Sequence, residues 1–237
     1  MSKSTRLAVA IALIAACSSS TTSPTTDKPA TTETRPTYEG RPIADTCSYL
    51  GADWLDRADR EAREQPEKVL DFLGIAAGST VADVGAGTGF FTVRLSKRVG
   101  AKGEVIATEL QPEMLRLLDH RVSSERITNV RLVRGTDTEA KLPERCCDLV
   151  LMVDVYHELS KPPAVMAGVR RALKPTGRLA LVEYKGEDPS IPIKPEHKMT
   201  LAQIKKELEP LGFAFIKSFE ELPDQRVVVF ARDDAPP

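Results

Sequence analysis

Short apolar runs that alternate with helix-type patterns constrain the fold of this chain more than any other feature. Seven such runs predict β-strands, at residues 80–84, 104–108, 130–133, 149–153, 178–183, 213–218 and 227–231. Apolar residues at helical spacing mark three helices between the first five strands: Phe91, Leu95 and Val99; Met114 and Leu118; Val165, Val169 and Leu173. This alternation predicts an α/β fold with a mostly parallel sheet covered on both faces. The last two runs are separated by a short polar segment, so we expect an antiparallel hairpin at one edge.

The N-terminus has the features of an export signal. Lys3 and Arg6 precede an apolar run at residues 7–16, which is too short to cross a bilayer as a helix. Ile-Ala-Ala before Cys17 resembles the bacterial lipobox, which implies a signal peptide at 1–16 and a lipidated Cys17 that anchors an exported chain at the periplasmic face of a membrane. Ser18 after the cysteine favours the outer membrane by the same resemblance. An ordinary secretory signal that leaves Cys17 free is the alternative.

A polar segment follows the cysteine. Residues 18–42 hold twelve Ser or Thr and four Pro, with almost nothing apolar to bury. We therefore predict a disordered tether at 17–45 and a folded domain at 46–237, with a helical segment at 46–64 and a core at 65–232. The lipid on Cys17 is the predicted membrane contact.

A glycine turn joins the first predicted strand to the first helix. Gly85, Gly87 and Gly89 allow backbone to approach a ligand closely, and such turns lie over the ligand site of an open parallel sheet. Glu109 ends the next strand, twenty residues after Gly89, where a carboxylate can accept hydrogen bonds from a ribose diol. Together they predict an adenosine-type ligand. Dinucleotide sites favour a longer glycine spacing, so a nicotinamide-dependent oxidoreductase is the less favoured alternative.

Five motifs in order make the interpretation more specific. "VADVGAGTGFFT", "VIATELQPEML", "NVRLVRGTDTEAKLP", "DLVLMVDVYHEL" and "RALKPTGRLALVEY" resemble the successive motifs of class I S-adenosylmethionine (SAM)-dependent methyltransferases over about residues 65–231. The resemblance implies a Rossmann-like seven-stranded sheet, SAM as cofactor and methyl transfer to an acceptor.

The resemblance also assigns residues to parts of the cofactor. Glu109 matches the acid that binds the ribose, and Asp154 lies near the amino group and the reactive methyl. An inserted Thr136 leaves open whether Thr136 or Asp137 meets the adenine amino group, and we favour Asp137. The loop beneath the methionine comprises Asp83, Gly85, Ala86, Gly87, Thr88 and Gly89. The border of the ribose and adenine comprises Leu110, Gln111 and Met114.

Catalytic candidates follow from the chemistry of methyl transfer. The sulfonium donor is already activated, so alignment and exclusion of water dominate, and a base helps only some acceptors. His157, beside Asp154 after the fourth strand, is the first candidate base, with helix capping or a backbone hydrogen bond as its alternative role. His197, on a proline-rich loop, is the second, with simple exposure as its alternative. Tyr156 lines the pocket or packs in the core.

The segment before the core allows two interpretations. Leu50, Trp54 and Ala58 recur at helical spacing, which predicts a helix packed on the core or a lid over the cofactor. Arg57, Arg60 and Arg63 are expected to be solvated.

Composition excludes some partners. The formal net charge is -1 and no dense basic run follows the N-terminus, so we expect no nucleic acid partner. No Cys or His spacing typical of a metal site occurs, and we predict none. Cys47 is available for a disulfide in an oxidising compartment, whereas Cys146 and Cys147 fit burial in a strand. A small-molecule acceptor is the default, a non-catalytic adenosine-ligand-binding lipoprotein is the alternative, and the oligomeric state stays open.

Overall fold

A computed structural model describes residues 35–236. The strands are β1 (Thr37–Tyr38), β2 (Arg41–Pro42), β3 (Thr80–Val84), β4 (Glu104–Glu109), β5 (Val130–Arg134), β6 (Cys147–Val153), β7 (Leu173–Lys185), β8 (Lys198–Met199), β9 (Phe213–Phe219) and β10 (Gln225–Arg232). The α-helices are α1 (Ala52–Leu55), α2 (Arg60–Glu64), α3 (Pro66–Leu73), α4 (Phe90–Val99), α5 (Pro112–Ser124), α6 (Pro162–Ala172) and α7 (Leu201–Leu208). Single 3₁₀ turns form at Tyr49–Gly51, Tyr156–Glu158, Pro195–His197 and Glu209–Leu211. Within this part of the chain, none of the helices is both long enough and apolar enough to cross a bilayer.

The central sheet confirms the predicted fold class. Its order is β5-β4-β3-β6-β7-β10-β9, and the first five strands run parallel. β10 lies between β7 and β9 and is antiparallel to both, so the predicted edge hairpin is confirmed. All seven predicted strands form. The prediction missed the small β1-β2 hairpin and the short β8, which pairs with the end of β7.

The core occupies both faces of the sheet because side chains alternate along each buried strand. On β3, Ala82 and Val84 pack in the cluster that contains α6 and α7, whereas Val81 packs in the opposite cluster with α3 and α4. The predicted helices α4, α5 and α6 form, and the Thr200 hydroxyl caps α7 by accepting the Gln203 N–H. Leu173, predicted on the face of α6, instead begins β7 and is fully buried.

The predicted tether is wrong in its last part. Residues 35–45 pack on the domain: Arg41 forms a buried ion pair with Glu207 over 2.7 Å, and Ile43 and Ala44 are buried. A single buried arginine with a matching carboxylate gives this polar stretch a partner that its composition did not reveal. The predicted signal peptide at 1–16, Cys17 and the tether to residue 34 lie outside the described residues.

The predicted helical segment at 46–64 forms helical turns, but of its two predicted roles the packing of one helix on the core is not observed. The chain breaks into a 3₁₀ turn, α1 and α2, and the side chains expected to face the core are exposed, 80% for Leu50 and 52% for Trp54. Residues 46–57, which we call the strap, instead contribute to the wall of a cavity at the carboxyl edge of the sheet. The lid interpretation fits this position.

Candidate active site

One cavity of about 440 Å³ lies along the carboxyl ends of β3, β4, β6 and β7. The chain order reverses between β3 and β6, and ligands of open α/β sheets bind at this reversal. The cavity volume is in the range of small-molecule sites. Of the predicted site residues, it is lined by Gly85, Gly87, Glu109, Leu110, Gln111, Met114, Thr136, Asp137, Asp154, His157 and His197. Four others do not line it: Asp83, Ala86, Thr88 and Gly89.

The glycine turn approaches the cavity with its backbone. Gly85 and Gly87 have φ of 73° and 56°, in the left-handed region that favours glycine. A Cβ at Gly85 would lie 2.5 Å from the Val155 side chain, and a Cβ at Gly87 would lie 2.8 Å from Leu55 Cδ1 of the strap. Gly87 therefore faces the space between the turn and the strap, where a ligand would lie.

Asp83 supports the turn from behind. Its carboxylate is buried and accepts a hydrogen bond of 2.6 Å from the Thr92 hydroxyl on α4, which ties β3 to the helix after the turn. Burial raises the pKa of Asp83 to about 6. Ala86 and Gly89 continue the turn, and Thr88 is buried within it. These residues shape the loop instead of lining the cavity.

Glu109 ends β4 and organises three backbone amides. Its Oε1 accepts the N–H groups of Leu110 and Gln111 over 2.7 and 3.0 Å, and Oε2 accepts the Gly87 N–H over 3.1 Å. A carboxylate has about four acceptor positions, so capacity for a ligand hydroxyl remains. The carboxylate is held in place before any ligand binds.

Gln111 joins the site to the strap. Its side chain accepts the Tyr49 N–H over 2.9 Å and donates to the Cys47 carbonyl over 2.8 Å. Arg121, on the helix α5 that follows Gln111, donates to Asp56 over 2.7 Å. Polar contacts to Gln111 and Arg121 therefore help to fasten the strap over the cavity.

Thr136 and Asp137 both line the cavity, so either can meet the adenine. The Asp137 carboxylate pairs with Lys161 over 2.6 Å, and this hydrogen bond lowers the pKa of Asp137. The favoured role of Asp137 stays a prediction.

Asp154 follows β6 and has an unsatisfied carboxylate oxygen. Its Oδ2 accepts from Gln225 over 2.7 Å, whereas Oδ1 is buried and has no hydrogen-bond partner among residues 35–236. Burial raises the pKa of Asp154 well above its usual value, and the carboxylates of Glu64 and Glu183 add to the effect. A buried unpaired acceptor requires an explanation, and a cationic ligand in the cavity supplies one.

Sequence reasoning missed Glu64 and misjudged two arginines. Glu64 is buried and accepts from Arg57 and Arg60 over 2.7 and 2.8 Å. The prediction that these arginines are solvated is wrong, because the Glu64 carboxylate draws both guanidinium groups to the cavity wall. The spacing of Arg60 and Glu64 is visible in the sequence, but its burial is not.

A chain of titratable groups occupies the β6 and β7 side of the cavity. His157 Nδ1 lies 2.5 Å from Glu183 Oε2, and His157 Nε2 lies 3.1 Å from His197 Nδ1. Burial disfavours the charged form of His157, but the Glu183 carboxylate outweighs burial and the pKa of His157 is raised. Burial and the neighbouring His157 charge lower the pKa of His197. The His157 ring therefore bonds side chains, and the capping role is not observed.

Glu183 and Glu158 complete this group and were not predicted. Glu183 is fully buried on β7 and also accepts the Tyr156 N–H over 3.0 Å. Glu158 accepts the Cys47 N–H, and burial raises the pKa of Glu158 to about 7. The signal for Glu183 was its acidic side chain near the end of an apolar strand, as for Glu109. Tyr156 is fully buried in the core, so of its two predicted roles the structure supports packing.

Two further side chains, Tyr184 and Lys194, also line the cavity. Cys147 is buried at the start of β6, in agreement with burial in a strand, whereas Cys146 precedes the strand and is half-buried. Cys47 is a free thiol at the strap.

Comparison with known proteins decides the family. Residues 81–177 match the family described as a methyltransferase domain. The crystal structure of a SAM-dependent methyltransferase from Aquifex aeolicus is 30% identical, with a TM-score of 0.74 over 78% of this chain and 98% of that one. The chain belongs to the SAM-dependent methyltransferases. The cofactor of this methyltransferase is SAM, and the site fits it: Glu109 offers acceptor capacity for a diol, and Asp154 Oδ1 offers an unpaired buried carboxylate oxygen for an ammonium.

Other relatives of this methyltransferase match it in sequence over a shorter part of the chain. The ubiquinone/menaquinone biosynthesis C-methyltransferases UbiE of Marinomonas sp. and Azotobacter vinelandii are 30% and 29% identical, over 47% and 48% of this chain and 45% and 46% of theirs. The chain thus matches about half the length of these relatives. Geranyl diphosphate C-methyltransferase from Streptomyces coelicolor shares the fold, with a TM-score of 0.61, 14% identity, and coverage of 80% of this chain and 88% of that one.

Proposed function

We propose that this methyltransferase transfers the methyl group of SAM to a small-molecule acceptor that enters on the β6 and β7 side of the cavity. The observation that carries the proposal is the pairing, in one cleft, of the amide-held Glu109 carboxylate with the unpaired Asp154 Oδ1. The first suits a ribose diol and the second suits the ammonium of a methionine. β3 separates the two strands that supply them, so the glycine turn lies between.

The residues of this chain have few chemical tasks in such a reaction. SAM supplies an activated methyl group on a sulfonium, so the barrier is lowered chiefly by alignment and by exclusion of water. Glu109 would hold the ribose of the donor, and Asp154 would hold the ammonium of its methionine part. The strap, fastened by Gln111, closes the cavity above Gly87 and limits access of water.

The acceptor side has groups that take up a proton. His197 is one-quarter exposed, and its Nδ1 faces the buried His157, whose other nitrogen is held by Glu183. A hydroxyl or an acidic C–H of the acceptor can lose its proton to this pair. The C-methyltransferase relatives support a carbon acceptor. Tyr184 and Ile193 supply less polar wall for the body of the acceptor.

Donor binding is the first test. We expect calorimetry to detect binding of SAM and of its demethylated product. Asp154→Asn should weaken SAM binding at least about tenfold, because a neutral amide replaces the carboxylate that would pair with the ammonium of SAM. Asp148→Asn is the matched control, since Asp148 is the second residue of β6 and bonds Thr80 and Lys174 away from the cavity. Equal effects of the two variants would remove Asp154 from the site.

Product analysis is the second test. The protein is incubated with methyl-labelled SAM and small-molecule fractions, and labelled products are identified by mass spectrometry. We expect one class of labelled small molecule. SAM binding without transfer to any fraction would favour the binding-lipoprotein alternative.

We also propose that the chain is exported and anchored through a lipid on Cys17. The support is the sequence alone: Lys3 and Arg6, the apolar run and the small residues before the cysteine. We expect Cys17→Ser to lose lipid labelling and to move from the membrane fraction to the soluble fraction. Cys47→Ser is the control and should keep both properties. Membrane association that survives Cys17→Ser would require a different anchor.

A further inference from the structure

Three side chains on the acceptor side converge on one point of the cavity. His157 Nε2 lies 3.1 Å from His197 Nδ1 and 3.9 Å from Glu158 Oε1, and His197 Nδ1 lies 3.8 Å from the same oxygen. All three residues line the cavity. Two imidazole nitrogens and a carboxylate oxygen are ligands that a divalent transition metal accepts. We call these residues the His-Glu-His cluster.

The spacing of the three atoms matches a metal. A point equidistant from them lies about 2.1 Å from each, and Zn–N and Zn–O bonds are about 2.0–2.2 Å.

Outer contacts orient two of the ligands. Glu183 binds His157 Nδ1, which directs the opposite nitrogen, Nε2, into the cavity. This carboxylate–histidine arrangement is typical of metal-ligating histidines. Glu158 is held by the Cys47 N–H, which lies 3.2 Å from each carboxylate oxygen. The Glu183 contact uses His157 Nδ1, so His157 Nε2 stays available for a metal.

We propose that His157 Nε2, His197 Nδ1 and Glu158 bind a divalent transition-metal ion such as Zn²⁺ or Co²⁺, with the remaining coordination position open to the cavity. Binding replaces a proton at His157 Nε2 with the metal, and this proton passes to solvent. Water would occupy the open position until an acceptor displaces it. Three protein ligands and one open position are typical of catalytic metal sites.

A bound metal would restrict the acceptor to molecules with an oxygen that can coordinate it. This inference rests on the proposed function. An acceptor with a hydroxyl or enolisable carbonyl oxygen can bind at the open position. While they bind the metal, the two histidines cannot take up the acceptor's proton. Coordination would instead lower the pKa of the acceptor oxygen, and its proton would pass to solvent. The bond that then forms joins the methyl group to the acceptor nucleophile, and the bond that breaks joins it to the sulfonium.

Direct metal binding tests the site without any activity measurement. Metal-stripped protein is titrated with Co²⁺ and followed by visible absorption, and Zn²⁺ is then added as a competitor. We expect one equivalent of Co²⁺ with absorption bands of a four- or five-coordinate site, displaced by one equivalent of Zn²⁺. Absence of a stoichiometric site would overturn the proposal.

Variants assign the ligands. His197→Ala should weaken Co²⁺ binding by more than about 100-fold and Glu183→Gln by about 10- to 100-fold, because loss of an outer partner has the smaller effect. His120→Ala removes the exposed histidine of α5 and should bind Co²⁺ as the parent does. Binding that is unchanged in His197→Ala, or equally weakened in His120→Ala, would overturn the assignment.

The two proposals fail separately. Co²⁺ binding is measured without SAM, and SAM binding is measured in the metal-stripped protein. A protein that binds SAM but no metal retains the proposed function and loses this site, whereas a protein that binds Co²⁺ but not SAM retains the site and loses the proposed function.

Discussion

The Gly87 N–H donates to Glu109 Oε2 over 3.1 Å, so the turn after β3 and the carboxylate at the end of β4 form one unit. Glu109 also holds the first amides of the following segment. A change at either residue is therefore expected to affect both the donor site and the local backbone.

Gly87→Ala should weaken SAM binding at least about tenfold, because the new methyl group enters the space between the turn and Leu55. A residue with a Cβ at the positive φ of position 87 also lowers the stability of the fold by about 1–2 kcal/mol. Gly78→Ala has the same kind of strain, at φ 86°, with nothing within 4 Å of the added Cβ. Both variants should lose thermal stability, and only Gly87→Ala should lose SAM affinity in calorimetry. Parallel losses of affinity would make the turn merely structural.

Glu109→Ala should weaken SAM binding by about 1–3 kcal/mol, since buried ligand hydroxyls lose their acceptor. The variant also leaves three backbone N–H groups without their carboxylate, so we expect a lower free energy of unfolding. Calorimetry and denaturant unfolding measure the two effects. SAM affinity unchanged from the parent would show that the ribose does not meet Glu109.

Gln111→Ala should release the strap. Loss of the two hydrogen bonds to Cys47 and Tyr49 is expected to speed amide exchange at residues 47–49 and to raise the dissociation rate of SAM. Gln203→Ala, which removes comparable contacts to Glu39 and Glu207, should leave both unchanged. Hydrogen exchange and stopped-flow fluorescence provide the measurements. Equal exchange at 47–49 in parent and variant would contradict the fastening role.

The raised pKa of Asp83 predicts that the free energy of unfolding depends on pH. Its pKa is raised from 3.8 to about 6 by burial, with Thr92 and Arg60 opposing the rise and Glu109 adding to it. The native state binds the proton more tightly than the unfolded state, so this residue makes stability fall as pH rises from about 4 to 6 and adds no further change above that window. Asp83→Asn keeps an oxygen for the Thr92 hydroxyl but has no carboxylate to titrate. Its free energy of unfolding should therefore fall less than that of the parent over this pH range, by up to about 3 kcal/mol. Denaturant unfolding at pH 4 and pH 7 gives the comparison, and identical pH slopes in parent and variant would contradict the raised pKa.

The sheet and the donor half of the site were predictable because their signals are local. The apolar periodicity of β3 to β7 decides which faces are buried, and Glu109 stands at a fixed distance after the glycine turn. The same local logic applies to Asp154, which directly follows β6. Its unpaired oxygen required the structure, because Gln225 arrives from β10.

The acceptor half was less predictable because it depends on distant chain segments. His157 and His197 are forty residues apart, and their contact depends on how the loop after β7 folds back. No spacing rule for metal ligands covers such a pair. The strap departs from its predicted position for another reason. Leu50 and Trp54 have the spacing of a core helix, which favours burial. The ion pairs of Arg57 and Arg60 with Glu64 hold the segment at the cavity instead.

The position of β10 has a consequence for folding. This strand is the last along the described chain, yet it lies between β7 and β9 and bonds both. Until residues 225–232 join the sheet, β7 has an open edge and β9 has no neighbour in the sheet. An exposed, apolar edge strand is a site of mispairing between chains. The chain should therefore need protection from aggregation until β10 is in place, and a stop codon before residue 225 should yield aggregated product.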